Sequence, residues 1–320
     1  MADFKSALGP AIQDFLIFRD GMNYGGHGER FYLGLFDAYC AEHFPNQTHL
    51  TKEAVRGWFL SEIEKGHAAL ENKAISVRMF AKFMGPPAYT LPMNCVPKTC
   101  NFVPYILSDD ELTAFFNAAD HATLQQNPFY SETAPVLLRL LYACGLRPGE
   151  ALRLKVEDVD LKTGEIFIKN TKRHKDRIIV ASDDVLSLLI EYALRRDISI
   201  GESTYFFVNS DASPLNHHHL QYLVQKCWFN ANPNINPEQL PTLRPYDLRH
   251  RFASAVLQRW IDEKRNLYAM MPFLRAYMGH QSFSDTAYYI HILPNRLMNS
   301  PGVDWDKIDN VSLEVALWND

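Results

Sequence analysis

The sequence predicts a mainly α (α+β) fold in two domains, and three observations predict it. Apolar residues recur at helical spacing through residues 11–82. A segment rich in proline, residues 85–104, cannot hold regular structure for long. Residues 105–301 combine apolar helices with one alternating hairpin. We therefore expect an N-terminal helical bundle in residues 1–84, a linker, a mixed but mostly helical C-terminal domain with a small β-sheet, and an acidic tail at residues 302–320.

Composition places the chain among globular proteins of a reducing compartment. Its 47% hydrophobic and 22% charged residues are typical of a soluble protein. There is no apolar run of about eighteen residues and no signal peptide, so we expect a cytoplasmic protein without a membrane span. The five cysteines are expected to be reduced thiols. Cys95 and Cys100 lack a second Cys/His pair nearby, and the histidines at 217–219 are interpreted as a helix start, so no metal site is expected.

The net charge of −5 argues mildly against a nucleic-acid partner, because phosphate binding normally depends on Lys and Arg. Most of this charge lies in the tail. From residue 302 onward the chain holds five acids and one base, which supplies −4 of the −5. The rest of the chain is close to neutral, and local basic faces are possible.

Four helices are predicted in the N-terminal segment, with Thr51 as the cap of the third. Their bases and acids are similar in number, so composition alone indicates a solvated surface. The second domain is predicted to begin at Ser108, which has an N-cap signature, and to continue with a buried helix over residues 134–144. Gly145 ends that helix, and Pro148 fits the first position of the next.

Arg147 is predicted to lie in the turn between these two helices. Glu150 is close enough to orient its guanidinium through a bidentate pair, although a surface ion pair of little energetic value is the alternative. A hairpin follows, with strands at 165–170 and 177–180 and a basic turn that contains Lys172. A solvated turn is the simple interpretation of this basic tip. A helix capped at Ser182, a short strand at 205–208 and a helix at 216–230 are predicted next.

The stretch from residue 243 to 291 carries the densest group of polar side chains. Arg249 lies in the first turn of an amphipathic helix, and His280 follows Gly279, which ends a second one. Ser284 and Asp285 then cap a short helix that carries Tyr288 and Tyr289. An Arg, a His and a Tyr can therefore face one pocket from three helix ends, although each taken alone is compatible with ordinary packing.

Taken in order, these segments resemble the tyrosine recombinases, or phage-type integrases. The resemblance is carried by Gly145-Leu146-Arg147 with Glu150, by Thr171-Lys172, by Asp247-Leu248-Arg249-His250, and by Gly279-His280 with Tyr289 nine residues later. It covers about residues 105–295. The family has an Arg in GLR-x-x-E, a hairpin Lys, an Arg in H-x-x-R, a His or Trp after glycine, and a nucleophilic Tyr. This chain departs from the pattern at Tyr246, where the H-x-x-R segment has His.

The resemblance implies a site-specific DNA recombinase that acts through a 3′-phosphotyrosyl intermediate, as in DNA integration or excision. Tyr289 would be the nucleophile, and its spacing to His280 favours it over Tyr288. Arg147 and Arg249 would bind the phosphate, with Glu150 in support, and His280 would donate to it. Lys172 would be the general acid. Tyr246 would either position the phosphate only or act as an acid–base group. No cofactor and no metal are expected, because the covalent link conserves the phosphodiester energy.

The same resemblance implies double-stranded DNA as the partner and a homotetramer on paired sites. Residues 1–84 would be a core-binding domain that clamps the duplex, and residues 105–301 the catalytic domain. The tail would pack on a neighbouring protomer. Two alternatives remain: a type IB topoisomerase-like nicking and closing enzyme, and a catalytically silent DNA-binding regulator, which Tyr246 and the pI of about 6.2 favour.

Overall fold

The computed structural model of the protein describes residues 4–22, 27–66, 69–96, 104–124, 127, 129–169, 176–280, 282, 285, 286 and 289. The chain divides into two compact units, Met1–Phe102 and Val103–Asp320. Each unit has its own cluster of buried apolar side chains. Within the described residues, no helix combines the length and the apolar character needed to cross a membrane.

The four predicted helices of the N-terminal unit are present. They are α1 (Gly9–Gly21), α2 (His27–His43), α3 (Lys52–Glu64) and α4 (Leu70–Met84). Thr51 caps α3 as predicted, because its hydroxyl accepts a hydrogen bond from the Ala54 amide. The helices pack around large apolar side chains that are almost fully buried, among them Phe36, Trp58 and Phe80. Removal of these rings from water is the main favourable contribution to folding of the unit.

The segment after α4 is held by one buried arginine. The Arg78 guanidinium donates to the carbonyl oxygens of Leu91, Pro92 and Met93 at 3.1, 2.6 and 3.2 Å. The first part of the predicted linker is therefore packed on the N-terminal bundle, because these carbonyls have a charged donor there. Residues 97–103 lie outside the described part of the chain.

The second unit is mostly helical. Its described helices are α5 (Asp109–Asp120), α6 (Phe129–Ala143), α7 (Pro148–Leu152), α8 (Asp183–Ser199), α9 (His217–Ala231), α10 (Pro245–Asp262) and α11 (Leu267–Met278). Helix α6 contacts α5, α8, α9 and α10, so it lies at the centre of the unit. It is fully buried at Leu137, Leu138, Leu140 and Leu141, in agreement with the buried helix predicted there. It begins five residues before the predicted start at Ala134.

The predicted hairpin forms a two-stranded antiparallel sheet. Strand β1 (Glu165–Ile168) pairs with β2 (Arg177–Val180), and Ile168 lies opposite Arg177. Residues 170–175 of the turn lie outside the described part of the chain. The prediction of a strand at 205–208 is wrong. Tyr205 and Val208 form only isolated bridges, to Lys155 and Pro214, so no ladder develops there. The mainly α fold class with a small antiparallel sheet is confirmed.

Two glycines in the left-handed region end helices next to the polar residues of this unit. Gly145 has φ +57° after α6, and Gly279 has φ +64° after α11. A Cβ on Gly145 would lie 2.4 Å from Cδ1 of Phe252, and one on Gly279 would lie 2.9 Å from a nitrogen of Arg177. Both positions therefore require glycine, for its backbone freedom and for its lack of a side chain.

We expect Gly145→Ala to destabilise the protein by about 2 kcal/mol or more. The left-handed conformation costs an alanine about 1–2 kcal/mol, and the new methyl group must also displace the Phe252 ring. Urea unfolding of the purified variant measures the change. Gly34→Ala in α2 is the control, because a Cβ there meets no atom within 4 Å, and it should leave stability unchanged or raise it. A Gly145→Ala protein as stable as wild type would contradict the requirement.

Candidate active site

The first arginine of the site, Arg147, is held by the turn between α6 and α7. It is the residue before Pro148, the first residue of α7, and its backbone N–H donates to Glu150 Oε2 at 2.9 Å. Its guanidinium donates from one nitrogen to Glu150 Oε1 at 2.7 Å and from another to the carbonyl of Gly279. Two side-chain hydrogen bonds and one from the backbone thus fix Arg147, whose side chain remains partly accessible.

Glu150 does not form the predicted bidentate pair with the Arg147 guanidinium. The fork belongs to Arg177, the first residue of β2, whose Nη1 and Nη2 donate to Glu150 Oε1 and Oε2 at 2.9 and 2.8 Å. The Glu150 side chain is only 2% exposed. Burial raises the pKa of Glu150, but the hydrogen bonds and charge of Arg177, with those of Arg147, outweigh it and lower the pKa to about 2. Glu150 is therefore ionised at neutral pH.

The second arginine, Arg249, is fully buried in the first turns of α10. Its guanidinium donates to the carbonyl of Gly145 and, at 2.7 Å, to the carbonyl of Met278. Burial lowers the pKa of Arg249 to about 10, so the group is still charged at neutral pH. Among the residues that the structure describes, no carboxylate forms an ion pair with Arg249, and a buried positive charge of this kind has the electrostatic character of an anion site.

Three arginines donate to three successive carbonyls at the C-terminal end of α11. Arg177 donates to Tyr277 at 2.8 Å, Arg249 to Met278, and Arg147 to Gly279. The last carbonyls of a helix have no partner within the helix and carry the negative end of its dipole. This end of the helix therefore brings together guanidinium groups from the α6–α7 turn, from β2 and from α10.

His280 follows this helix end directly. Its backbone N–H donates to Arg275, and Nδ1 lies 2.8 Å from the Thr286 hydroxyl. Burial lowers the pKa of His280 to about 3, and the positive charges of Arg249 and Arg147 add to the effect. The imidazole is therefore neutral at neutral pH. A neutral imidazole carries a single N–H, so it can donate one hydrogen bond.

Tyr289 is buried, with 4% of its surface exposed. Its ring stacks on His280 with the centroids 5.5 Å apart and the planes at 14°, and it lies 5.3 Å from the His250 ring. Burial raises the pKa of Tyr289, while the charges of Arg249 and then Arg147 oppose this increase. The phenol therefore lies in the field of both arginines. Before Tyr289 in the chain, Ser282 and Asp285 exchange hydrogen bonds, each backbone N–H donating to the side chain of the other, while Ser284, the other predicted cap residue, lies outside the described residues.

Tyr246 lies at the edge of the group. It is 47% exposed, and its ring centroid is 6.4 Å from that of His250, one turn further along α10. The His250 ring contacts the rings of both Tyr246 and Tyr289, and burial lowers the pKa of His250 to about 4. The sequence prediction had no role for His250. Only its position in the segment with Arg249 could have indicated it.

The structure brings together most of the predicted site residues. Arg147, Arg249, His280 and Tyr289 meet, with Glu150 behind the first arginine and Tyr246 at the edge. Lys172, Tyr288 and the acidic tail lie outside the described residues. Arg177 is the principal residue that the prediction missed, since it was only one of several bases of the hairpin.

Comparison with known proteins identifies the family of the chain. The model of the phage integrase family matches residues 106–296, which is more than half of the chain. The chain belongs to the phage integrase family. The resemblance to tyrosine recombinases is thereby confirmed, and with it membership of a class of DNA strand transferases.

Similar proteins carry related descriptions. The y4rE protein of Sinorhizobium fredii, described as an integrase/recombinase, is 35% identical over 190 residues, which cover 58% of this chain and 59% of that relative. The match thus spans just over half of its length. The y4rB protein of the same organism is 26% identical over 308 residues, with 89% and 93% covered. The tyrosine recombinase XerD of Rickettsia bellii is 25% identical over 279 residues, with 82% and 86% covered.

Solved structures show the same fold. The XerH site-specific recombinase bound to its palindromic difH substrate aligns with a TM-score of 0.64 at 19% identity and covers 87% of this chain and 79% of its own. The Tn1549 transposon integrase in complex with transposon right end DNA aligns with a TM-score of 0.62 at 15% identity, covering 87% and 94%. At these identities the likeness concerns the fold alone.

Proposed function

We propose that this protein is a site-specific recombinase that cuts and rejoins DNA through a 3′-phosphotyrosyl intermediate on Tyr289. One observation supports the proposal most directly: the Tyr289 phenol lies in the field of two arginines that converge on one helix end. The phenol oxygen attacks the scissile phosphorus, and the bond from phosphorus to the 5′-oxygen breaks. A 5′-hydroxyl then attacks the phosphotyrosine, which restores the phosphodiester and releases the tyrosine.

Arg147 and Arg249 stabilise the transition state of both steps. Negative charge grows on the non-bridging oxygens of phosphorus, and a permanently charged guanidinium matches them in a fork. Neither group needs to move far, because carbonyls and Glu150 already hold both side chains. Preorganised donors of this kind avoid the cost of reorientation during the reaction.

Protons move at two points of the reaction. The departing 5′-oxygen takes a proton from Lys172, the general acid that the family pattern assigns to the hairpin turn. The neutral His280 donates a hydrogen bond to a non-bridging oxygen and does not titrate near neutral pH. The proton of Tyr289 passes to water as the arginines stabilise the phenolate against the effect of burial, which raises the pKa of Tyr289, so the proposed reaction uses no base at Tyr246.

Double-stranded DNA is the proposed partner, and a homotetramer on paired sites the proposed assembly. Two similar structures hold XerH on its difH substrate and a lambda integrase tetramer on a Holliday junction. By the same analogy, residues 1–84 clamp the duplex, residues 105–301 carry the chemistry, and residues 302–320 pack on a neighbouring protomer. Because its substrate is cellular DNA, the proposed enzyme acts in the cytoplasm, where that DNA lies.

Covalent trapping tests the proposal. Random duplexes are first selected by binding to the Tyr289→Phe protein, and the selected sequence is then nicked beside the candidate cleavage point so that a cut strand cannot be rejoined. Wild type should form a covalent complex that withstands denaturing electrophoresis, with the protein on the 3′ end. A protein that binds but never becomes attached is a silent regulator. Relaxation of supercoiled plasmids that lack the selected site would favour the topoisomerase-like alternative.

We expect Tyr246→Phe to slow single-turnover cleavage by no more than about tenfold. The side chain is half-exposed at the edge of the site, and one neutral hydrogen bond contributes about 0.5–1.5 kcal/mol. The rate is measured on the nicked duplex across pH for wild type, Tyr246→Phe and Tyr246→His. A loss beyond about a hundredfold in Tyr246→Phe, restored by His, would instead identify an acid–base group.

A further inference from the structure

Arg177 is held as firmly as the two arginines of the proposed site, although no role has been assigned to it. Its side chain is only 10% exposed. Nε donates to the Tyr277 carbonyl at 2.8 Å, and Nη1 and Nη2 donate to the two oxygens of Glu150 at 2.9 and 2.8 Å. It is the first residue of β2, five positions after Lys172 in the sequence. A guanidinium committed to these three acceptors is not arranged to bind DNA itself.

The charge balance of the group depends on this residue. Arg147, Arg177 and Arg249 contribute three positive charges, and Glu150 contributes one negative charge, which leaves a net charge of +2. Without Arg177 the balance would be +1, and both oxygens of Glu150 would be left to Arg147. A carboxylate paired fully with Arg147 would compete with the phosphate for that guanidinium. Arg177 therefore offsets the carboxylate that orients Arg147.

We propose that Arg177 is a positioning residue for DNA cleavage: it neutralises and aligns Glu150, so that Arg147 keeps its positive charge for the scissile phosphate. The proposal rests on the proposed function. The positioning role also explains the bidentate geometry. Two parallel hydrogen bonds from Arg177 fix the orientation of the Glu150 carboxylate, which a single charge cannot do. The Tyr277 contact fixes the same guanidinium relative to the helix end that Arg147 and Arg249 share.

A double-mutant cycle in single-turnover cleavage of the selected, nicked duplex tests the proposal. Arg177→Met removes the charge at similar length, Glu150→Gln removes the carboxylate charge, and the double variant removes both. We expect Arg177→Met alone to slow cleavage by about a hundredfold, as for loss of one preorganised donor. In the Glu150→Gln background, Arg177→Met should lower the cleavage rate by less than about tenfold, since no carboxylate is left to neutralise Arg147. DNA affinity should stay within about threefold throughout, because the Arg177 guanidinium is committed to Glu150 and to the Tyr277 carbonyl.

Two further variants keep the test decisive. Arg177→Lys retains the charge without the fork and should retain more activity than Arg177→Met. If the Met variant unfolds, the cycle is run with Arg177→Lys, and its smaller loss of cleavage rate should likewise shrink in the Glu150→Gln background. Arg195→Met removes a matched arginine from a surface ion pair with Glu132, and its cleavage rate should equal that of wild type. Thermal unfolding of each variant identifies those that are simply destabilised.

Several outcomes would overturn the proposal. Equal losses from Arg177→Met with and without the Glu150 charge would show that Arg177 does not act through Glu150. Equal losses in Arg177→Lys and Arg177→Met would show that its charge is irrelevant. If either result accompanies normal covalent trapping by wild type, the proposed function stands and only this inference fails. If wild type itself forms no covalent complex, the proposed function fails and the inference falls with it.

Discussion

Tyr289→Phe will abolish covalent attachment to DNA and leave DNA binding nearly intact. The substitution removes the oxygen that attacks phosphorus, and loss of a nucleophile lowers a single-turnover rate by at least about 10⁴-fold. The phenylalanine ring can keep the stacking contact with His280 and the packing against His250, so the fold around the site should be preserved. The measurement is the amount of protein–DNA complex that survives denaturing electrophoresis, compared with binding measured by gel shift.

Tyr288→Phe is the matched control for this experiment. The two tyrosines are adjacent, and on a helix their side chains point about 100° apart. We expect the control to form the covalent complex at the wild-type rate, because the nine-residue spacing to His280 assigns the nucleophile to Tyr289. Normal trapping by Tyr289→Phe together with loss in Tyr288→Phe would reverse the assignment.

Arg147→Ala and Arg249→Ala should each slow cleavage by about 10²- to 10³-fold or more. Each change removes a preorganised positive charge from the phosphate in the transition state. The two variants should differ in stability. Arg249 is fully buried, and its loss leaves the carbonyls of Gly145 and Met278 without this donor, which costs about 1–3 kcal/mol for each group that stays unsatisfied. Arg147 is partly exposed, so its loss should cost less.

Cleavage rates and urea midpoints measured in parallel separate these effects. Arg147→Lys is a useful companion, because it keeps the charge but cannot bridge Glu150 and the Gly279 carbonyl in the same geometry. It should cleave faster than Arg147→Ala and slower than wild type. A near-normal cleavage rate in either alanine variant would refute the phosphate-binding role of that arginine.

Much of the fold could be predicted because its signals are local. Thr51 caps α3, and Gly145 ends α6 with positive φ, because capping and left-handed turns depend on one or two residues. The order and spacing of the motifs were enough to identify the family. The short strand at 205–208 was wrong because strand formation needs a partner, and the sequence does not show which segment will lie alongside.

The details of the site depend on contacts that no local pattern shows. Glu150 was expected to pair with Arg147, three residues away, yet its bidentate partner is Arg177, which is 27 residues along the chain. The other acceptors of the arginines are backbone carbonyls, which have no signature in a sequence. The low pKa of His280 follows first from burial, and burial at a helix end is decided by tertiary packing.

The three carbonyls at the end of α11 also bear on how the enzyme is made. Their contacts join residues that are 100, 29 and 132 positions apart, so they belong to the non-local contacts that form late in folding. A growing chain on the ribosome can fold its N-terminal helices early, but it lacks the three shared carbonyl acceptors of Tyr277, Met278 and Gly279 until residue 279 has been added. Chains that stop before residue 279 therefore lack the carbonyls that bring the three guanidinium groups together, and under the proposed function they would lack a complete site for the phosphate.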